Sequence, residues 1–259
     1  TIVSIFMLSF KLSGSGFTSF TLLGLSLQAV NTLKTKKSVI INCVRVMNFD
    51  DFSKRISKIK NLPLPGVDSH HKMTPLFRVK QLQEIENLSK NPKKAAVLSL
   101  FYPNNHQNTN LLLILRKTYK GVHSNQIGFP GGKVEKEDKD LLHTALRETH
   151  EEVGVPPADV EVIKSLTQIY IPPSNFEVYP YIGICRSPSG FILQKSEVEA
   201  LIEVSLADFM DDKLVFTKKL STSYAESVEV PAFKLNGYTV WGATAMMLSE
   251  VKELLKQVL

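Results

Sequence analysis

Residues 131–155 read GGKVEKEDKDLLHTALRETHEEVGV: a glycine pair, a charged loop, then a segment carrying Arg147, Glu148, Glu151 and Glu152 that stops at Gly154. At about 100° per residue, helical spacing places Glu148, Glu151 and Glu152 within roughly a 100° arc and gathers Leu142, Leu146 and Val153 on another side. Carboxylates one turn apart repel by about a few tenths of a kcal/mol per pair, so a purely structural helix gains little from them. A hard divalent cation would relieve the repulsion, because Mg²⁺ and Mn²⁺ take oxygen ligands and are commonly held by a few carboxylates plus substrate phosphates. Arg147 can pair with Glu151 one turn on, or hold Glu148 in a fixed orientation. A solvated charged face is the competing reading of an isolated RExxEE, and the flanking residues weigh against it. On this reading Glu152→Gln removes a repelling charge and is expected to leave the melting temperature in metal-poor buffer unchanged or raised.

The flanking residues are Phe129-Pro130-Gly131-Gly132 on one side and, inside the loop, the acids Glu135, Glu137 and Asp138. Together with RETHEEVG at 147–154 they resemble the Nudix box: a glycine, a spaced acid, Arg-Glu, Glu-Glu, and a closing glycine before an aliphatic residue. The spacing from Gly132 to Arg147 is one residue longer than the general pattern, and the spaced acid is open among Glu135, Glu137 and Asp138. That longer form is similar to the coenzyme A pyrophosphatase branch of the family, whose second motif precedes FPGG. Leu112, Leu113, Arg116 and Phe129 to Gly132 keep that motif; Lys117, Gly121 and Asn125 depart from it, with Lys120 one residue early for the second arginine.

The resemblance implies a Nudix α/β/α sandwich around a mixed β-sheet, covering nearly all of residues 47–259. It implies metal-dependent hydrolysis of a diphosphate linked to another moiety, in which Mg²⁺ or Mn²⁺ neutralises charge on the phosphate oxygens and a carboxylate removes a proton from water. Glu148, Glu151 and Glu152 are the implied metal ligands, with the Gly132 carbonyl as a further one. Arg147 would orient them, and Glu197 or a helix glutamate such as Glu148 or Glu151 would act as base. Arg116, Lys117, Lys120 and Lys133 are the candidate contacts to substrate phosphates, against the plainer reading of a solvated basic loop. For coenzyme A the products would be 3′,5′-ADP and 4′-phosphopantetheine. Another nucleoside diphosphate derivative, ADP-ribose or a nucleoside triphosphate, is the alternative substrate, favoured by the three departures at 117, 121 and 125. A Nudix-fold module that senses a nucleotide without cleaving it is the alternative of a different class; all three helix carboxylates being present argues against it.

Outside this stretch, 259 residues with 43% apolar and 22% charged content suffice for a full core. The net charge is +6, but residues 1–49 hold Lys11, Lys34, Lys36, Lys37 and Arg45 with no acid, leaving about +1 for the rest. The basicity therefore belongs to the beginning of the chain and describes no nucleic-acid face on the domain. Residues 1–46 are read as lying outside the domain, as translated upstream sequence or a targeting segment; the uncharged run from Leu12 to Leu33 is long enough to span a bilayer but is rich in Ser, Thr and Gly. The domain is read as 47–259. With Cys43 and Cys185 alone, the domain has no internal disulfide to form, which fits a reducing cytoplasm. The expected partner is a small nucleotide substrate, without nucleic acid or membrane; a homodimer is left open.

Phe49, Phe52, Ile56 and Ile59 recur at helical spacing, with Asp50 and Asp51 early and Lys58 and Lys60 late, as the helix dipole favours. His70, His71 and Met73 have the residue types of a metal site but lack a second cluster to complete one. Strands are expected at Ala95–Phe101, Leu111–Arg116, Val160–Tyr170, Phe176–Cys185 and Ala200–Val204. A hairpin is expected about Asn236-Gly237, followed by an amphipathic helix from Ala243 to Val258.

Overall fold

A computed structural model describes residues 47–75, 91–117, 126–222 and 225–259. The described residues open with helix α1 (Phe49–Ile56), capped by the Asn48 side chain, which accepts a hydrogen bond from the Asp51 amide at 2.9 Å. A 3₁₀ turn, Ser57–Asn61, continues its apolar stripe, and α2 (Val67–His71) follows. Then come β1 (Lys93–Pro103), β2 (Thr109–Arg116), β3 (Ile127–Gly128), β4 (Gly131–Lys133) and α3 (Leu141–Val153). After these lie β5 (Val160–Ser165), β6 (Ile169–Ile171), β7 (Phe176–Cys185), β8 (Val198–Ser205) and α4 (Leu206–Met210). The chain closes with β9 (Val215–Thr222), β10 (Ala225–Leu235), β11 (Tyr238–Trp241) and α5 (Gly242–Val258).

An eight-stranded mixed sheet runs β3-β2-β1-β7-β5, with β4 on β1, β6 on β7 and β8 on β2. β1 and β7 are parallel, in register from Lys93 with Phe176 to Phe101 with Ile184. Parallel neighbours need a long crossover, and the segment through β4 and α3 lies within it. β1 is buried on both faces. Ala95, Val97 and Phe101 join Phe52 and Ile56 of α1 and Leu248, Val251 and Leu255 of α5. Leu98, Leu100 and Tyr102 join Val153 at the end of α3 and the half-buried Leu146. That double burial is why AAVLSLF is continuously apolar rather than alternating. Helices on both faces of a mixed sheet give the expected α/β/α sandwich.

The expected strand Val160–Tyr170 is two strands, β5 and β6. The β6–β7 hairpin then has only three residue pairs, from Ile169 with Val178 to Ile171 with Phe176. Pro172–Ser174 forms a 3₁₀ turn, and Asn175 takes the left-handed conformation at φ 52°. At the β10–β11 turn both Asn236 (φ 44°) and Gly237 (φ 81°) are left-handed, as a tight hairpin turn of this kind requires. A separate three-stranded sheet, β11-β10-β9, stands outside the main one. No helix among the described residues is long and apolar enough to cross a membrane.

His70 is not a metal ligand candidate in this fold. Its ring nitrogen lies 3.2 Å from Oε2 of Glu250, a fully buried residue of α5. Glu250 also accepts hydrogen bonds from the Gly66 and Thr167 amides (3.2 and 3.1 Å) and from the Thr167 hydroxyl at 2.6 Å. Burial pushes its carboxyl upward, but the bonds from His70 and Thr167 outweigh that and hold its pKa below the ordinary 4.5. A depressed carboxyl stabilises the fold above its unfolded pKa, and that contribution is lost as pH falls through the folded value. Glu250→Gln, which replaces acceptors by an amide donor, should cost about 1–3 kcal/mol at neutral pH. It should also flatten the fall of melting temperature below the unfolded value; acid melting curves parallel to those of the wild type would contradict this.

Candidate active site

Helix α3 starts on Asp140, whose side chain accepts from the His143 amide at 2.7 Å, and ends at Gly154, left-handed at φ 78°. Its inward face is wider than the expected apolar side, of which Val153 is buried and Leu146 packs against the core. Ala145, Thr149, Glu152 and Val153 are buried, whereas Leu142 and Leu146 are only half-buried. Glu152 therefore sits on the core side of the arc, Glu148 at its edge and Glu151 in solvent.

Arg147 is the hub of the exposed side. Its Nε and Nη2 form a fork to the two oxygens of Asp138, both at 2.9 Å, and its Nη1 reaches Glu148 Oε1 at 3.1 Å and Glu151 Oε2 at 3.0 Å. Nη2 also donates to the Lys133 carbonyl at 3.2 Å. Asp138, with its side chain fully buried, further accepts from the Glu135 amide, His143 and the Thr144 hydroxyl. These bonds, Arg147's foremost, hold its carboxyl far below the usual carboxylate range. The acid left open in the sequence is thus Asp138; Glu135 is exposed and only 4.0 Å from Nη1.

Glu148 folds back over the glycine loop. A Cβ on Gly132 would fall on the Glu148 carboxyl group itself, so glycine at 132 is what lets that carboxylate approach the main chain. Burial raises the Glu148 pKa, Arg147 beside it opposes the rise, and the charges of Glu151 and Glu197 add to it.

Glu152 is held from the other side. Its Oε1 accepts from Nη1 of Arg116 at 3.0 Å and its Oε2 from the Gly131 amide at 2.8 Å, while Arg116 Nη2 donates to the Gly131 carbonyl at 2.5 Å. Burial, only partly offset by Arg116 and that amide, pushes the Glu152 carboxyl up to about 7. The carboxylate takes two donors where a glutamine oxygen offers one acceptor. Glu152→Gln therefore loses a bond as well as a charge, and a melting temperature unchanged or raised no longer follows at this position.

Of the remaining candidates, Glu197 is exposed in the turn before β8, where its carbonyl accepts from the Lys117 amide at 2.8 Å; its charge reaches both Glu148 and Glu152. The Lys117 amine donates to the Lys195 carbonyl at 2.6 Å, and Lys133 is exposed beside the glycines. Lys120 lies outside the described residues. The structure thus brings Glu148, Glu151, Glu152, Gly132, Arg147 and Glu197 to one region, and turns Arg116 inward rather than toward solvent.

Among the described residues, no three or more His, Cys, Asp or Glu side chains form a ready-made metal cage. Mg²⁺ rarely uses one: it is usually bound through one or two carboxylates with water and substrate phosphates completing the octahedron. Glu148 fits that role, being a half-buried oxygen donor whose ionisation is opposed by burial and by the like charges of Glu151 and Glu197. Glu152, Glu151 and the Gly132 carbonyl supply the neighbouring hard donors.

The family model described as NUDIX domain matches residues 92–223, half of the chain. The Arabidopsis thaliana protein "Nudix hydrolase 15, mitochondrial" is 32% identical over 163 residues, 61% of this chain and 56% of its own. "Uncharacterized Nudix hydrolase NudL" of Pectobacterium atrosepticum is 31% identical over 153 residues, 56% of this chain and 75% of its own. The Caenorhabditis elegans "Peroxisomal coenzyme A diphosphatase ndx-8" is 28% identical over 174 residues, 66% of this chain and 73% of its own. The match thus spans little more than half the length of the Arabidopsis protein.

Proposed function

This chain belongs to the Nudix family, and we propose that it is a metal-dependent diphosphate hydrolase that cleaves coenzyme A and its acyl derivatives to 3′,5′-ADP and the corresponding 4′-phosphopantetheine. The observation that carries the hydrolytic part is the packing of the Glu148 carboxylate on Gly132, with Glu151 and Glu197 adding negative charge around it. Mg²⁺ or Mn²⁺ bound there would supply neutralisation of the charge that develops on the phosphate oxygens. The chain's own residues do the rest. Arg147, locked by Asp138, orients Glu148 and Glu151; Glu197, exposed in the turn before β8, accepts the proton of the attacking water; Lys117, Lys120 and Lys133 meet the negative phosphates.

The coenzyme A part is supported by Leu112, Leu113, Arg116 and FPGG in the branch's order, by the longer box spacing, and by the similarity to a coenzyme A diphosphatase. A second reading, ADP-ribose or a nucleoside triphosphate as substrate, is favoured by Lys117, Gly121 and Asn125 at the departing positions. The proposed location is the cytoplasm, where the buried thiol of Cys185 stays reduced.

A panel of coenzyme A, 3′-dephosphorylated coenzyme A, ADP-ribose and nucleoside triphosphates with Mn²⁺ separates the readings. If Lys120 contacts the 3′-phosphate, the wild type prefers coenzyme A over the dephosphorylated form by about ten- to a hundredfold, the equivalent of one charge-assisted hydrogen bond. Lys120→Ala should erase that preference while leaving the dephosphorylated substrate's turnover nearly intact. Equal turnover of the two by the wild type would move ADP-ribose ahead.

A further inference from the structure

We propose that Arg116 is a positioning residue for the metal site and makes no contact with substrate, an inference that rests on the metal-dependent reading above. Its guanidinium closes a ring of hydrogen bonds: Nη1 to Glu152 Oε1, Glu152 Oε2 to the Gly131 amide, and the Gly131 carbonyl back to Nη2. The N–H and C=O of Gly131 and both carboxylate oxygens of Glu152 are thereby engaged. An arginine suits this place because its rigid fork satisfies two acceptors at a fixed separation, which a lysine's single ammonium does not.

The ring ties β2 to β4 and α3, two elements that also meet where Glu148 lies on Gly132 and Arg147 donates to the Lys133 carbonyl. Arg116 ends β2, where its amide donates to the Gln126 carbonyl at 3.0 Å and its residue pairs with Val198 of β8. Gly131 opens β4, pinned beside Val97 of β1. Glu152 lies in the last turn of α3. Its side chain is 1% exposed, and Arg116's 24%. A carboxylate so enclosed cannot be reoriented by solvent, so the direction in which Glu152 offers its remaining lone pairs is set by Arg116. The same grip fixes Gly131, and through it the adjoining Gly132, whose carbonyl is a candidate ligand and whose missing side chain admits Glu148. A phosphate contact would require the guanidinium to release two good bonds and leave Glu152 buried and less compensated, which is costly.

The test is Mn²⁺ binding by electron paramagnetic resonance on the full chain without nucleotide, beside steady-state kinetics with coenzyme A. Residues that orient metal ligands typically cost about 10–100-fold in metal affinity when removed. Arg116→Gln should weaken Mn²⁺ by that factor and lower kcat, with KM for coenzyme A at saturating Mn²⁺ unchanged. Arg116→Lys should recover only part of the affinity, and Arg116→Gln combined with Glu152→Gln should bind Mn²⁺ as Glu152→Gln alone does. Melting in chelator identifies a variant that fails to fold; should Arg116→Gln do so, Arg116→Lys carries the measurement. Unchanged Mn²⁺ affinity with a raised KM that lysine restores would make Arg116 a substrate contact and overturn the proposal. Wild type that binds no Mn²⁺ would instead overturn the metal-dependent reading, and this inference with it.

Discussion

Glu148→Gln is expected to lower turnover by about 10²–10³-fold, the usual effect of removing one group that stabilises charge in the transition state, while the melting temperature in chelator holds or rises. The stability half follows from local geometry. Among the described residues Glu148 accepts one hydrogen bond, from Arg147 Nη1 at 3.1 Å, and a glutamine carbonyl can still accept it. Burial and the charges of Glu151 and Glu197 oppose ionisation of this carboxyl, so neutralising it relieves the folded state. The same change at Glu152 takes one of two required acceptors from the Arg116 and Gly131 donors, and a lower melting temperature is expected there. Kinetics and calorimetry on the pair of variants would show either this split or, in contradiction, identical behaviour.

The second large effect separates two adjacent glycines. Gly131 has φ 142°, and a Cβ there would collide with the Ala96 carbonyl oxygen and Val97 Cα of β1. Backbone strain and overpacking against a central strand each cost about 1–3 kcal/mol, so Gly131→Ala should fold poorly. At Gly132 the group in the way is the end of the Glu148 side chain, which can swing aside. Gly132→Ala should therefore melt near the wild type yet lose most activity, because the carboxylate is displaced from the glycine loop. An active Gly132→Ala enzyme would mean that Glu148 does not work from this position.

Where sequence reading succeeded, one physical constraint dominated locally. Double burial of β1 left a nearly continuous apolar run, and the positive φ demanded at 236 and 237 left Asn-Gly. The box helix and its glycine stop were equally plain. The hub acid was not: Glu135, Glu137 and Asp138 are alike in type, and only the turn of the loop buries Asp138 against Arg147. The core side of α3 was legible only in part, since Val153 and Leu146 pack inward but the burial of Glu152 beside them was not signalled. Leu142 and Leu146 gave the apolar count, but the glycine loop lies under Glu152, and an ion pair with Arg116 makes burial of a carboxylate tolerable there. No periodicity signals a pair separated by 36 residues. β9 carries Lys218 and Lys219 between its apolar positions, and β3 and β4 have two and three residues; none has a pattern long enough to read.

Where water enters is the most direct test of metal-dependent hydrolysis at this site. Coenzyme A incubated with the full chain and Mn²⁺ in H₂¹⁸O should yield 3′,5′-ADP and 4′-phosphopantetheine in equal amounts, with one ¹⁸O in only one of the two products. Chelator and Glu148→Gln should both suppress the reaction. Release of inorganic phosphate, products without label, or undiminished turnover in chelator would contradict metal-dependent hydrolysis of the diphosphate at this site.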